Sequence, residues 1–218
     1  MGTRAVVQYD EGELDIGVHE IWYATHWDGH PETLGQHLVE AVQKAKGKVP
    51  SYSDDIIRGD DLKKFVNKAV QDHSVDMEEY GSTGGDVEET FKDRYADYGE
   101  FEYKFVREGD DIRVKHRSVG GFWDDNPSKG EWKDTANVVG MTTEPHSFYH
   151  MYHKKEEGVY KIKKDGNKQA TASGKDPDSI WQEGVEHVDN NTPASIVYWD
   201  QDDQIRKEYE NTQIGKRD

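Results

Sequence analysis

The sequence predicts an α+β fold, with a mainly antiparallel sheet built from hairpins and two or three helices packed on one face. Three observations carry this reading. Segments that alternate apolar and polar residues come in pairs around polar turns, which is the signature of antiparallel hairpins. Other segments repeat their apolar residues at helical spacing. The resulting order, ββααββ…ββαβ(β), lacks the strict strand–helix alternation of a parallel sheet.

Residues 3–9 form the first expected strand, and Asp10, Glu11, Gly12 and Glu13 turn it into a second over 16–25. A helix follows from Pro31 to Lys46. Leu34, Leu38, Ala41, Val42 and Ala45 line one face of it, and Pro31 suits a first turn whose N–H is free in any case. Lys44, Lys46 and Gly47 mark its end. A second helix runs from Asp61 to His73, with Asp60 as N-cap and Leu62, Phe65, Val66, Ala69, Val70 and His73 turned inward.

Residues 75–98 read as a mobile loop, of which 88–98 could be a short helix. The clearest hairpin pairs 101–107 with 112–116 across Glu108, Gly109, Asp110 and Asp111. Residues 119–135 are rich in Gly, Trp and Asp and look irregular. The aromatic segment 145–153 suits a helix or a strand equally. A further hairpin joins 159–162 to 169–172, and Asp176-Pro177 opens a helix carrying Ile180, Trp181, Val185 and Val188. Residues 195–199 make a last strand, with 204–209 able to pair with it. No internal repeat is visible. The chain reads as a single domain over 1–218, with 75–98 and 119–135 as the places where it could divide.

Leu, Ile, Val and Phe supply 39 of 218 residues, beside a formal charge of −17. Those values border on the disordered range. Six Trp and twelve Tyr argue the other way, for an aromatic and valine core with long polar connections. With 45 acidic residues against 28 basic, the surface repels phosphate backbones, and ordinary nucleic-acid binding is not expected. The acidity suggests adaptation to salt, although twenty lysines against eight arginines speak against an extreme case. The absence of cysteine excludes disulfides and thiolate chemistry. No apolar run is long enough to span a membrane and the N-terminus has no signal-peptide core, so a soluble, cytoplasmic protein is expected.

Gly2, Thr3, Arg4, Ala5, Tyr23, Asp28, Gly29, Pro31, Gly35 and Leu38 carry a family likeness. With them the first 42 or so residues resemble a family of uncharacterised prokaryotic and viral proteins. These begin Met-Gly-Thr-Arg-Ala and soon reach Tyr-x-His/Gln-x-Asp-Gly-Tyr-Pro-x-x-x-Gly-x-x-Leu. His30 departs from the family's Tyr. Phe101 to Val114 is similar to a Tyr-rich hairpin of such proteins. The resemblance implies a common fold and a special Asp-Gly-x-Pro junction, and it implies no reaction.

Candidate sites gather at that junction. Trp22, Tyr23, Trp27, Asp28, Gly29 and Pro31 would form a binding surface where a strand gives way to a helix. His26, Asp28 and His30 could instead ligate zinc or another divalent metal, while Asp28 could simply bond the free N–H groups of the helix start. His146, His150 and His153 share a face only if their segment is helical, and only then could all three hold a metal. Paired aspartates (Asp54-Asp55, Asp60-Asp61, Asp110-Asp111, Asp124-Asp125, Asp202-Asp203) lack EF-hand spacing and suit solvated turns. Trp123, Trp132 and Trp199 could stack on a sugar or a partner, or serve as core.

These residues point to a non-enzymatic binding or regulatory protein without a cofactor, whose partner is a protein or a small molecule. Its rivals are a metal-dependent hydrolase using His26, Asp28, His30 and perhaps His150, an acidic DNA mimic, and a virion or assembly component.

Overall fold

A computed structural model describes residues 3–25, 27–47, 57–71, 75–78, 99–120, 129–202 and 204–213. His26, His73, the segment 79–98 and residues 121–128 lie outside these described residues, and with them most of the expected loop, the 88–98 helix and Trp123. The fold is α+β, and its strands divide between two sheets.

The first sheet has six strands in the order β3-β2-β1-β4-β5-β6. These are β1 (Ala5–Asp10), β2 (Glu20–Thr25), β3 (Val75–Glu78), β4 (Phe101–Glu108), β5 (Asp111–Ser118) and β6 (Lys133–Asp134). Only β1 and β4 pair in parallel, with Val7 opposite Tyr103; the other neighbours are antiparallel. The second sheet has five strands in the order β11-β10-β7-β8-β9. These are β7 (Ser147–Lys154), β8 (Val159–Lys164), β9 (Ala172–Gly174), β10 (Ala194–Trp199) and β11 (Ile205–Asn211). Here β7 and β10 are the parallel pair, with Tyr149 opposite Ile196.

The two sheets thus repeat one plan, although the sequence shows no repeat. In each, an antiparallel pair is followed by a helical crossover. A second antiparallel pair then returns so that its first strand lies parallel to the first strand of the opening pair. A third strand extends the outer edge of the opening pair, β3 in one sheet and β9 in the other. It arrives after the crossover helices in the first half and before the crossover helix in the second.

Among the described residues five helical segments accompany the sheets. They are α1 (Glu11–Leu14), α2 (Gln36–Gly47, entered through a wide turn at Pro31–Gly35), α3 (Gly59–Gln71), α4 (Thr135–Val139) and α5 (Pro177–Asn190). The core of the first half joins Val7, Tyr9, Tyr23, Leu38, Leu62 and Tyr103 among others, and extends to Met141. A separate cluster from Tyr149 to Ile196, including Met151, Ile162, Trp181 and Val188, closes α5 against the second sheet. Aromatic rings fill the space that scarce leucine leaves.

Several expectations are corrected. The strand expected over 16–25 begins only at Glu20, because α1 occupies the turn, capped by Asp10 accepting from the N–H of Gly12 and Glu13. Residues 75–78 are the edge strand β3 rather than loop. Helix α3 starts at Gly59, so Asp60 lies in its first turn instead of capping it. Residues 133–135 of the irregular stretch are β6 and the start of α4.

Glu11 fixes the β1–β2 corner. Its carboxylate is buried, yet it accepts from the Tyr9 hydroxyl at 3.1 Å, the N–H groups of Val18 and His19 at 3.1 Å each, and His19 Nδ1 at 2.8 Å. Burial pushes its pKa up, but the hydrogen bonds from His19 and Tyr9 outweigh that and hold it below the usual range. Glu11→Ala leaves several donors unmet at once. It is expected to lower the unfolding free energy by about 3 kcal/mol, read by urea denaturation.

Candidate functional site

Two places in the structure concentrate chemistry, the junction before α2 and a groove between the halves. At the junction Asp28 adopts a left-handed backbone (φ 53°). Its carbonyl accepts from the N–H of Leu34 at 3.2 Å and from the Thr33 hydroxyl. The helix cap is therefore not the Asp28 carboxylate: His30 takes that place, its Nδ1 accepting from Glu32 N–H at 3.3 Å. Gly29 N–H donates to the Thr3 carbonyl at 2.9 Å, and the Gly29 carbonyl accepts from the buried Tyr103 hydroxyl at 2.8 Å. A Cβ at Gly29 would lie 2.7 Å from Ala5 Cβ and 2.9 Å from Ala5 N, so only glycine lets the turn close on β1. Beneath it His116 shares a hydrogen bond with Thr135 Oγ1 at 3.0 Å, its pKa lowered by burial and then by Lys133 and His30.

The special junction is thus a packing device. Gly29 and Pro31 are buried, Tyr23 is fully buried with its hydroxyl donating to Asn67, and Trp22 is only 6 % exposed. The expected aromatic contribution of Trp22 and Tyr23 to a surface is corrected accordingly, since both rings are buried, Tyr23 in the core of the first half and Trp22 on the opposite face of β2. Trp27, 55 % exposed, presents an aromatic side chain to solvent at the junction.

The segment of His146, His150 and His153 is strand, not helix, so the three rings do not share a face. His146 shares a hydrogen bond with Ser195 Oγ at 3.0 Å. His150 accepts from Trp199 Nε1 at 3.2 Å and lies 3.3 Å from Asp165, while His153 packs on Tyr160. Among the described residues no three His, Asp or Glu side chains are arranged to hold a metal ion.

The groove lies where α2 and α3 meet the uncovered face of the second sheet, with a volume of about 630 Å³. Phe65, Ala41 and Ala69 form its helical wall, and Phe148, Ser195 and Val197 its sheet wall. The seam closes through α2. Gln43 donates to the Thr142 carbonyl, Lys46 donates to that of Thr143 at 2.8 Å, and the Gln43 carbonyl accepts from His146 N–H at 3.1 Å. Gly47 makes this approach possible, since a Cβ there would stand 2.0 Å from the His146 carbonyl oxygen.

Carboxylates gather inside. Lys44 bridges Glu210 at 2.8 Å and Glu40 at 3.7 Å, and Thr212 Oγ1 donates to Glu40 at 3.3 Å. Burial raises the Glu40 pKa, and the charge of Glu210 raises it further, against Lys44 and Thr212. His146 is buried, its Nδ1 without a hydrogen-bond partner among the described residues, and its pKa falls to about 4 through burial, with Glu210 at 3.8 Å opposing. None of these groups stood out in the sequence except His146. The Glu40–Lys44 spacing of four was visible as a surface helix pair, but nothing local joins it to Glu210.

Compared with family models, curated proteins and solved structures, the chain matches none.

Two outcomes test this geometry. Gly29→Ala is expected to cost about 3 kcal/mol by forcing β1 from the junction, measured by thermal or urea unfolding. His146 takes its proton below about pH 4 when folded, against about 6.5 when unfolded. A depressed folded pKa gives stability that is complete above pH 6.5 and is lost as pH falls towards 4. About 3 kcal/mol should disappear across that window, and His146→Gln should flatten that part of the stability profile relative to the parent.

Proposed function

We propose that this protein is a non-catalytic binding protein that takes a small organic cation, an amine with an apolar body, in the groove between its halves. The observation that carries this is the gathering of Glu40 and Glu210 about Lys44 in the groove, where burial first and then the Glu210 charge raise the Glu40 pKa. A ligand ammonium beside them would relieve that repulsion, and Phe65 and Phe148 would cover its apolar part. The volume suits a small molecule, and the charge of −17 attracts cations at long range.

Binding is favoured over catalysis by the state of the Ser195–His146 pair. A base that activates serine needs its other ring nitrogen oriented by a carboxylate. Here Nδ1 has no hydrogen-bond partner among the described residues, and Glu210 approaches the nitrogen already shared with Ser195.

Calorimetric titration with phenethylamine, and with 3-phenylpropionate as its acidic counterpart, tests the reading. The amine is expected to bind with Kd below about 1 mM, and Glu210→Gln to weaken it about tenfold. Equal affinity for amine and acid, or indifference to the substitution, would refute it.

A further inference from the structure

The second sheet carries a feature that average composition hides. Residues 147–175, which span β7 to β9, hold seven lysines against three acidic residues in a chain of net charge −17. The far end of the β7–β8 pair shapes part of this segment into a hollow of about 450 Å³ lined by Tyr152, His153, Lys154, Lys155, Lys161 and Lys168, together with Glu156. From this concavity we infer a second site, distinct from the groove, that takes a phosphate-bearing ligand with a planar ring, a nucleoside phosphate.

The charges at the hollow do not cancel. Glu157 is held by both Lys154 and Lys161, so one carboxylate answers two ammonium groups. Lys155 and Lys168 make no ion pair among the described residues. Surplus ammonium groups converging on a concave surface favour an anion with several oxygens, and flexible lysines can follow the shape of a di- or triphosphate. Tyr152 supplies what a bare phosphate would not use. It is half-buried on the uncovered sheet face, opposite Lys161 in register on one side and Trp199 on the other. Its ring is placed to stack with a base while the lysines hold the phosphates. The acidic remainder of the chain opposes this weakly, because the screening length is about 8 Å at physiological ionic strength.

The test is a titration of the full chain with ADP and, separately, with inorganic tripolyphosphate, followed by calorimetry and by fluorescence of Trp199 beside Tyr152. ADP is expected to bind with Kd below about 1 mM, and the Lys155→Glu/Lys168→Glu double variant to weaken both ligands by about tenfold or more. Tyr152→Leu, which keeps apolar bulk but removes the aromatic face, should weaken ADP and leave tripolyphosphate unchanged. Absence of saturable ADP binding overturns the site. So does binding indifferent to charge reversal. Equal response of the two ligands to Tyr152→Leu overturns the nucleoside class.

Discussion

Parallel pairing at the centre of each sheet is the constraint from which the rest of the molecule follows. Two strands joined in parallel cannot be linked by a tight turn, so the chain must cross back over the sheet, and a helix does so most economically. Between β1 and β4 the crossover is α2 with α3; between β7 and β10 it is α5. Each crossover buries one sheet face beneath its helices. The second sheet has a single helix to spend on that task, and its other face is left for α2 and α3 to cover in part. The groove is what that partial cover leaves open.

This arrangement explains why α2 is buried on more than one side. Leu38, Val42 and Ala45 belong to the core of the first half. Gln43, Lys44 and Lys46 reach across to residues of the second half from the same helix. Serving two neighbours brings polar side chains into a partly buried seam, and their ionisation answers to it. His146 is driven towards its neutral form, and Glu40 is pushed in the same direction by burial and by a second carboxylate. A protein that needed only to hold its halves together would do better with apolar residues at such a seam. The partly buried charges of Glu40 and Lys44 are therefore the part of the seam that stability does not account for.

The elements that the sequence revealed are those whose signal is local. Strict alternation located β4 and β5, and both strands extend one or two residues beyond the expected ends. Asp176-Pro177 announced α5, and the Asp176 carboxylate does accept from Ser179 N–H at 3.0 Å. The β7 segment was ambiguous because His and aromatic residues fill both its faces, so neither period stands out. At the junction the composition marked the right place and misassigned the parts: His30 caps, while Asp28 turns through a left-handed conformation that spares Gly29 for the approach to Ala5. The repeated plan and the seam were beyond reach for one reason. They rest on pairings such as β1 with β4, or Glu40 with Thr212, made between distant parts of the chain with no local trace.

Charge shows the same division between local and global. A total of −17 describes the field far from the molecule, but a bound ligand responds to groups within about one screening length. On the uncovered face of the second sheet that local field changes sign. Register places Glu208, Val197, His150 and Lys163 in one transverse row, running from a carboxylate on the edge strand β11 to an ammonium group on β8. Glu210, Ser195 and Phe148 form the neighbouring row, which enters the groove. A uniformly acidic coat would be enough for solubility. A face ordered from carboxylates to ammonium groups, with aromatic rings between them, goes beyond what solubility requires: under the proposed binding role it would give a ligand an orientation as well as a place.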